Sequence, residues 1–549
     1  MARFLLVVCL VSTASAGLFL SSPRSATNVV ATADPLPEVP PPREVKPIPP
    51  GFLARVGVRH VGEPPEVTPS LADYPTSAVR RIVFSPDGRL MLTCGSSPGS
   101  SRVWRNLTEA PFAGLDHEET HPSRAPHFSP DGRLLVGVSN NRLATWDADT
   151  GVLTHWAPDP ADVASTDRAI GFDSDGVAWA LDTASGTISR QRLPAGDVVR
   201  TVMGYPQTEY AVMSPNGARL AVGGTVFAVR STHPDAAWQI VSALPIRRKV
   251  ANRGGRTVIA PLAFSPSGRL LVAGSARGSY LVGQFAIWDV TDRPIAVAEY
   301  GPADSEWLID AAFSADGRWI AFQFERPGSV LEVRVWEAAT LSEAWRFTPS
   351  EGTAFAFHPD ARRLVVGHAD STLTLWDRAT MEASAVSRPK REELPAALAN
   401  AEPKVGLAAV HALTADPTAA VAFLREQFQA TDPAKAAALV ARLDDDDFET
   451  REEATKELSA QGERAEGALR KAATESPSPE VRTRADRLLG VFVPINGRLS
   501  AAHVRAGRAV EALERIGNSE ARALLAKWVT ENAGTHLGNE AKAAMGRLR

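Results

Sequence analysis

The stretch His117-Glu118-Glu119-Thr120-His121 matches the H-E-x-x-H pattern of zinc metalloproteases. In such enzymes the two histidines lie one helical turn apart and bind the metal, while the glutamate activates a water molecule. Here the stretch lies between Gly114 and Pro122 and has no apolar stripe, so the sequence predicts a loop instead of a helix. We therefore expect no catalytic metal, and His117 and His121 remain only an alternative metal pair.

The segment GSSPG, residues 95–99, matches the G-x-S-x-G pattern of serine hydrolases. That pattern works where a strand turns sharply into a helix, whereas both flanks of Ser97 read as strands, so the sequence predicts a hairpin loop. The other histidines form no spaced ligand set, and no G-x-x-x-x-G-K-[ST] phosphate loop occurs. The sequence therefore predicts no catalytic residue and no cofactor.

A third group of residues is basic and could bind a partner. The segment RRKVANRGGR has no acidic neighbour in sequence, and GSARGS adds another arginine nearby along the chain. The candidate partner-binding residues are Arg247, Arg248, Lys249, Arg253, Arg256 and Arg277. Such a patch could bind an acidic protein, an anionic polymer or a phosphorylated surface, and the alternative is a solvated loop. Aromatic residues are not interleaved with these cations, so we expect no nucleic acid.

Composition narrows the function classes further. The chain has 549 residues, with 59 Lys and Arg against 63 Asp and Glu, and a net charge of -4. This balance gives no overall attraction to nucleic acid or to anionic lipid. Cys9 and Cys94 are the two cysteines, which excludes both a disulfide framework and a thiolate zinc site.

The N-terminal region reads as a targeting segment followed by a spacer. An apolar run after Arg3 leads to Ala14-Ser15-Ala16, which predicts a signal peptide over 1–16, cleaved after Ala16, and export to the periplasm or cell envelope. The alternative is an uncleaved anchor over 4–20, which would tether the protein to a membrane. Residues 17–51 are predicted to form a proline-rich linker, because 34–50 contain eight prolines.

A repeat of about 40 to 50 residues must position all of these loops. Its turn sequences are FSPDGR at 84 and 128, FDSDG at 172, MSPNG at 213, FSPSGR at 264, FSADGR at 313 and FHPDAR at 357. In each, an apolar residue ends one strand, a tight turn follows, and a second strand begins. In five copies a further strand ends in tryptophan, at Trp104, Trp146, Trp288, Trp336 and Trp376.

This recurring pattern resembles the WD40 repeat family, and the resemblance implies a seven-bladed WD40-like β-propeller over 52–388. The third and fourth copies lack the tryptophan, and the family's usual Gly-His pair is absent. FSADGRWIAFQF also resembles the repeats of TolB-like propellers, an alternative with the same architecture. Residues 51–60 alternate like a strand, and we expect them to pair in the last blade and cover its edge.

From about residue 394 to 549 the composition changes to helical spacing of Ala, Leu, Glu and Arg. Short helices with brief breaks resemble HEAT repeats, so the fold class is an all-β propeller followed by an all-α solenoid. One helix is expected to start with a capping box of Asp446 and Glu449 and to bury Phe448, Ala454 and Leu458. The arginines from 482 to 508 either offset the acidic helices or form a second docking face.

The order of these regions resembles that of bacterial WD40-repeat propeller proteins with a C-terminal HEAT-like domain, a family that supplies no reaction. The sequence thus predicts a non-enzymatic scaffold in the cell envelope that binds protein partners through propeller loops and the helical domain. One alternative is a propeller-based hydrolase, or a TolB-like accessory protein, with a metal at His117 and His121. Another is a purely structural envelope component.

Overall fold

The structure is a computed structural model. It describes residues 56–58, 78–95, 101–105, 111–115, 127–139, 142–156, 168–173, 175–182, 187–192, 197–203, 208–224, 227–232, 239–241, 258–277, 280–291, 294–300, 306–326, 330–348, 352–369, 373–377, 388–429, 433–492 and 498–548.

Alternating apolar residues build twenty-eight strands within these described ranges, and they form seven sheets of four strands. Blade 1 contains β2 Val79–Phe84, β3 Leu90–Gly95, β4 Arg102–Arg105 and β5 Pro111–Gly114; blade 2 contains β6 His127–Phe128, β7 Leu134–Ser139, β8 Arg142–Asp147 and β9 Leu153–Trp156. Blade 3 contains β10 Arg168–Phe172, β11 Ala178–Asp182, β12 Thr187–Arg192 and β13 Asp197–Met203; blade 4 contains β14 Thr208–Met213, β15 Arg219–Gly224, β16 Phe227–Ser231 and β17 Gln239–Val241. Blade 5 contains β18 Val258–Phe264, β19 Leu270–Arg277, β20 Tyr280–Asp289 and β21 Ile295–Tyr300; blade 6 contains β22 Trp307–Phe313, β23 Trp319–Arg326, β24 Val330–Glu337 and β25 Ser342–Phe347. Blade 7 contains β26 Gly352–Phe357, β27 Arg363–His368, β28 Leu373–Asp377 and β1 Val56–Val58.

The blades form a closed ring. Their first strands contact one another in the order β2, β6, β10, β14, β18, β22, β26 and back to β2. Apolar side chains pack between neighbouring sheets; for example, Leu92 of blade 1 and Trp146 of blade 2 belong to one core cluster. The fold is therefore the predicted seven-bladed propeller. As predicted, residues from 51–60 pair in the last blade, since β1 lies parallel to β28.

The repeated turn explains the repeated sequence. The Ser85 hydroxyl accepts the Leu90 N–H (2.9 Å) and donates to the Asp87 carboxylate (2.7 Å). Gly88 then adopts a φ of 73°, a left-handed conformation that costs glycine little. Blades 2 to 6 also have a positive-φ glycine here, whereas blade 7 has Ala361 at a φ of 57°.

Blades 3 and 4 replace the missing tryptophan with buried polar side chains. Opposite the second strand, the place taken by Trp104 in blade 1 is taken by Gln191 in blade 3 and by Arg230 in blade 4. Gln191 and Arg230 are 4% and 5% exposed. In blade 3, Asp173 also replaces the turn serine and accepts from Arg190 Nε (2.6 Å) in a buried ion pair. These two blades are therefore held by polar contacts where the others use an indole.

The C-terminal region is helical, and ten α-helices lie within its described residues. They are α1 Leu394–Leu398, α2 Pro403–Ala415, α3 Pro417–Gln427, α4 Pro433–Ala441, α5 Phe448–Gln461, α6 Glu466–Glu475, α7 Pro479–Leu489, α8 Ala501–Ile516, α9 Ser519–Glu531 and α10 His536–Arg547. Their main core joins residues of α1, α2, α3, α8, α9 and α10. In the parts of the chain that are described, no helix is long and apolar enough to cross a bilayer.

The start of α5 differs from the predicted one. Its N-cap is Asp447, whose carboxylate accepts the Thr450 N–H (2.9 Å), so the expected capping box of Asp446 and Glu449 is wrong by one residue. Phe448 is 61% exposed instead of buried, because the shift moves it to the first helical position, away from the core face. Ala454 and Leu458 are buried as predicted.

Candidate partner-binding surface

Strand order gives the propeller two distinct faces. In each antiparallel blade, the connections between the first and second strands and between the third and fourth lie at one end. We call this end the turn face, because it carries the FSPDGR-type turns. The opposite end, the loop face, carries the connections between the second and third strands and those from one blade to the next. Any partner must bind one of these faces, the outer side or the helical region.

The loop-face end of the first strands carries unusual charges. Arg80 and Arg81 lie near the start of β2, and both are exposed. Asp310 occupies the position of Arg81 in the first strand of blade 6, four residues before the turn serine, and it is exposed as well. The register shifts between Val79 and Arg81, which makes Arg80 a bulged residue. Among the described side chains of the first strands, two cations and one carboxylate are thus exposed near this face.

Protein atoms surround the Asp310 side chain, which is nevertheless exposed to solvent. Enclosure raises the pKa of Asp310, and the charge of Arg81 and the Ala311 N–H oppose this effect. That N–H donates to Asp310 Oδ1 (2.8 Å). Such a carboxylate gains from a further hydrogen-bond donor, which a partner inserted near the axis could supply.

Blade 6 adds a paired charge network at the loop face. Arg334 donates to both carboxylate oxygens of Glu306 (2.8 Å each), and Arg326 Nη2 lies 2.9 Å from Glu332 Oε2. The guanidinium of Arg334 also stacks over Phe324, 4.3 Å from the ring centre. Glu332 is 3% exposed in its side chain, so its charge is matched internally. These ion pairs hold the side chains of blade 6 near Asp310 in place, and they leave little charge available to a partner.

On the turn face, the helical region covers part of blade 6. Arg508 of α8 donates through Nε to Glu337 Oε1 (2.9 Å) and through Nη2 to Glu337 Oε2 (2.7 Å). Its Nη1 donates to the carbonyls of Leu398 (2.9 Å) and Asn400 (2.7 Å). The side chains of Arg508 and Glu337 are 3% and 5% exposed. Both charges are thus buried and make several hydrogen bonds, which is the condition under which a buried pair is tolerated.

Further contacts extend this interface. The Leu499 N–H donates to the Ala339 carbonyl (2.9 Å), and Arg318 Nη2 donates to Glu514 Oε2 (2.8 Å). Burial disfavours the charged form of Arg318, but the nearby carboxylates, Glu511 and Glu514 first among them, outweigh it and raise its pKa. Leu407 of α2 joins a core cluster of blade 6 and blade 7 side chains. Residues Pro41–Arg549 accordingly form one compact unit.

The predicted site residues lie mostly outside the described residues. This holds for His117, His121, Arg247, Arg248, Lys249, Arg253 and Arg256, and the predictions made for them stay predictions. Arg277 is the last residue of β19, at the loop face. The strands that flank the basic segment also end there, since β17 ends at Val241 and β18 begins at Val258. Within the described residues, no group of three or more His, Cys, Asp and Glu side chains is placed to hold a metal.

Three of the C-terminal arginines make contacts inside the protein. Arg484 bridges α5 and α7 through Glu452 (2.7 Å) and Glu480 (2.6 Å), which is the predicted offset of acidic helices. Arg505 stacks over Phe428, and Arg508 reaches the propeller. The last role was not foreseen, because nothing local in the sequence of α8 indicates a partner 171 residues away.

Sequence reasoning also missed Arg80, Arg81 and Asp310. A signal for them was present: the strand sequences "AVRRIVF" and "LIDAAF" place charged residues among apolar ones shortly before the turn. An exposed charge inside an otherwise apolar strand indicates a position that faces solvent or a partner.

Comparison with known proteins agrees with the fold. Residues 69–105 and 351–377 match the family model described as WD domain, G-beta repeat. These segments include strands of the first and last blades, so the chain carries WD40 repeats in a seven-bladed propeller. No curated protein matches the chain. WD40 domains typically serve as protein-interaction scaffolds and are usually not catalytic.

Proposed function

We propose that this protein is a non-enzymatic scaffold that binds a protein partner at the loop face of its propeller. The supporting observation is the difference between the two faces: the helical region already covers blade 6 on the turn face, while Arg80, Arg81 and Asp310 are exposed on the other. A rigid ring holds these side chains in place at little entropic cost on binding.

The chemistry of the site favours a partner segment with both an acidic group and a hydrogen-bond donor. Arg80 and Arg81 would pair with carboxylates, and Asp310 would accept from a donor. The basic residues Arg247, Arg248, Lys249, Arg253, Arg256 and Arg277 belong to the same proposal, because the strands around them end on the loop face. They would add long-range attraction to an acidic partner.

We place the scaffold in the cell envelope and regard its helical region as HEAT-like. The N-terminal pattern up to Ala16 supports export, and consecutive short helices support a solenoid. N-terminal sequencing of the mature protein tests the first point: a chain that begins at Gly17 supports cleavage, and one that begins at Met1 contradicts it.

The binding proposal is tested by affinity capture from envelope extracts with partner identification. The full-length chain is compared with the Arg80→Glu, Arg81→Glu variant, and a matched control carries Arg425→Glu and Arg487→Glu, two exposed helical arginines. We expect the loop-face variant to lose at least about tenfold of the captured partner, which is about 1.4 kcal/mol. Equal loss in both variants would mean a nonspecific charge effect, and no loss in either would contradict the loop-face site.

A further inference from the structure

The residue after the blade tryptophan differs at one blade. The five tryptophan-ended strands continue as Trp104-Arg105, Trp146-Asp147, Trp288-Asp289, Trp336-Glu337 and Trp376-Asp377. Aspartate is thus the common acidic residue, and only blade 6 has glutamate. Blade 6 is also the blade that carries the buried contact with Arg508. The two facts have one geometric explanation.

In blade 2 the aspartate serves its own turn. One oxygen, Asp147 Oδ1, accepts both the Thr150 N–H (2.8 Å) and the Thr150 hydroxyl (2.7 Å). In blade 6 the Thr340 hydroxyl still donates to Glu337 Oε2 (2.8 Å). The extra methylene of glutamate carries the carboxylate outward, so that its two oxygens also accept both arms of the Arg508 guanidinium.

Two other polar contacts of the interface do not single out blade 6. Arg318 has arginine counterparts after the turns of blades 1, 2, 5 and 7, at Arg89, Arg133, Arg269 and Arg362. The Ala339 carbonyl that accepts the Leu499 N–H is a main-chain group, which any blade could offer. Glu337 is therefore the polar contact that distinguishes this blade from its neighbours.

The helical side of the contact is equally specific. Arg508 passes so close to α2 that a Cβ added to Gly406 would lie 2.0 Å from its Cζ. The guanidinium is thus enclosed by a glycine surface, the carbonyls of Leu398 and Asn400, and the Glu337 carboxylate. A planar group with five donors fits this set of acceptors, whereas a lysine ammonium could not match it.

We propose that Glu337 assigns the helical region to blade 6 by receiving Arg508, and that this single contact decides which blade of the propeller carries the helices. The docking site on blade 6 comprises Glu337, Ala339 and Arg318, and its occupant is the helical region of the same chain through α8. Since the site lies on the turn face, the helical region stays in place while a partner binds the loop face. The inference does not depend on that partner.

The test uses Glu337→Asp, which keeps the charge and shortens the side chain by one methylene. The readout is hydrogen exchange of the Leu499 amide, because its N–H bonds directly across the interface to Ala339. We expect this amide to exchange at least about tenfold faster in the variant. The Ala148 amide, which bonds to the Arg133 carbonyl inside blade 2, should be unchanged. The matched control is Asp147→Glu, the reverse exchange in blade 2, which should leave Leu499 protected.

A second variant keeps the inference testable if Glu337→Asp disturbs folding of the whole chain. Arg508→Lys keeps the positive charge but cannot supply the donors that Glu337, Leu398 and Asn400 accept. It should expose the Leu499 amide to exchange as Glu337→Asp does, while small-angle scattering checks that the chain stays folded. Protection of Leu499 in Glu337→Asp equal to wild type would overturn the proposal, as would equal loss in Asp147→Glu.

Discussion

Blade 2 and blade 6 use the same connection between their third and fourth strands for different purposes. Residues 147–151 of blade 2 read DADTG, and residues 337–341 of blade 6 read EAATL. The backbone is the same in both: the Gly151 N–H donates to the Asp147 carbonyl and the Leu341 N–H to the Glu337 carbonyl, each at 2.8 Å. The connection in blade 2 remains at the surface, whereas that in blade 6 holds the helical region.

The differences lie in three side chains. Glu337 replaces aspartate and reaches Arg508, and Ala339 replaces the exposed Asp149. Leu341 replaces glycine at a φ of 49° and is 2% exposed, packed with side chains of blades 5 and 6. A leucine in this conformation is strained, and burial of its side chain offsets the strain. The same turn thus becomes a docking site without any change of main-chain path.

The largest expected effect comes from removing the guanidinium of the blade 6 contact. Arg508→Ala leaves the Glu337 carboxylate buried without its cation, and we expect the free energy of unfolding to fall by about 3 to 5 kcal/mol. Blade 2 supplies the control: Asp149→Ala removes an exposed pair with Arg105 (3.3 Å) and should cost under about 1 kcal/mol. Denaturant unfolding measures both. Similar losses in the two variants would mean that the blade 6 contact has no special role.

A smaller effect concerns the pH dependence of stability, and it arises from a histidine of the helical region. Burial and the charge of His503 lower the pKa of His536 to about 4, and the two rings stack at 4.4 Å. Glu466 on α6 accepts from His503 (3.4 Å), Phe492 stacks on His503, and Arg269 of blade 5 also opposes the charge on His536.

Because the folded pKa of His536 lies below the unfolded value of about 6.5, the unfolded chain binds the proton more tightly. Stability is therefore complete above pH 6.5 and declines as the pH falls toward 4, with about 2 kcal/mol lost at pH 5. His536→Phe keeps a stacked ring that cannot be protonated, so its stability should depend less on pH over this range. Unfolding curves at pH 7 and pH 5 measure the difference, and equal pH dependence in the variant and wild type would contradict it.

The smallest effect tests the turn that the blades share. Gly132 of blade 2 and Gly317 of blade 6 have φ values of 71° and 72°, and a Cβ at either would meet no atom closer than 3.6 Å. Replacement of each by alanine should thus cost about 1 kcal/mol from backbone strain alone. In blade 7, Ala361→Gly should raise the stability by about 0.5 kcal/mol. Thermal unfolding checks all three variants, and unequal losses at Gly132 and Gly317 would show that the turns are not equivalent.

Much of the propeller could be predicted from sequence because each repeat is locally determined. A serine, an Asp or Asn and a glycine in a turn fix the hairpin, and period-two strands on either side follow. The helix boundary at α5 was missed by one residue because four consecutive aspartates, 444 to 447, each could serve as the N-cap. Which aspartate caps the helix depends on how Ala454 and Leu458 pack into the core.

The candidate site was harder to predict. Runs of like charge such as 247–256 are visible in sequence, whereas Arg81 and Asp310 lie 229 positions apart and form one site only after the ring closes. Sequence does not show which charged residues of different first strands lie near each other, because closure of the ring and the register of the strands decide it.

The sequence by itself determined the repeat, the number of blades and the change to helices near residue 394, since turn chemistry and hydrophobic periodicity act over a few residues. Only the tertiary structure decided that Glu337 and Arg508 meet, that Gln191 and Arg230 replace tryptophan, and that the helical region lies on blade 6. Those outcomes depend on packing between residues far apart in the chain. The difference between Asp147 and Glu337 is visible in the sequence. Only the structure shows that Arg508 binds the Glu337 carboxylate.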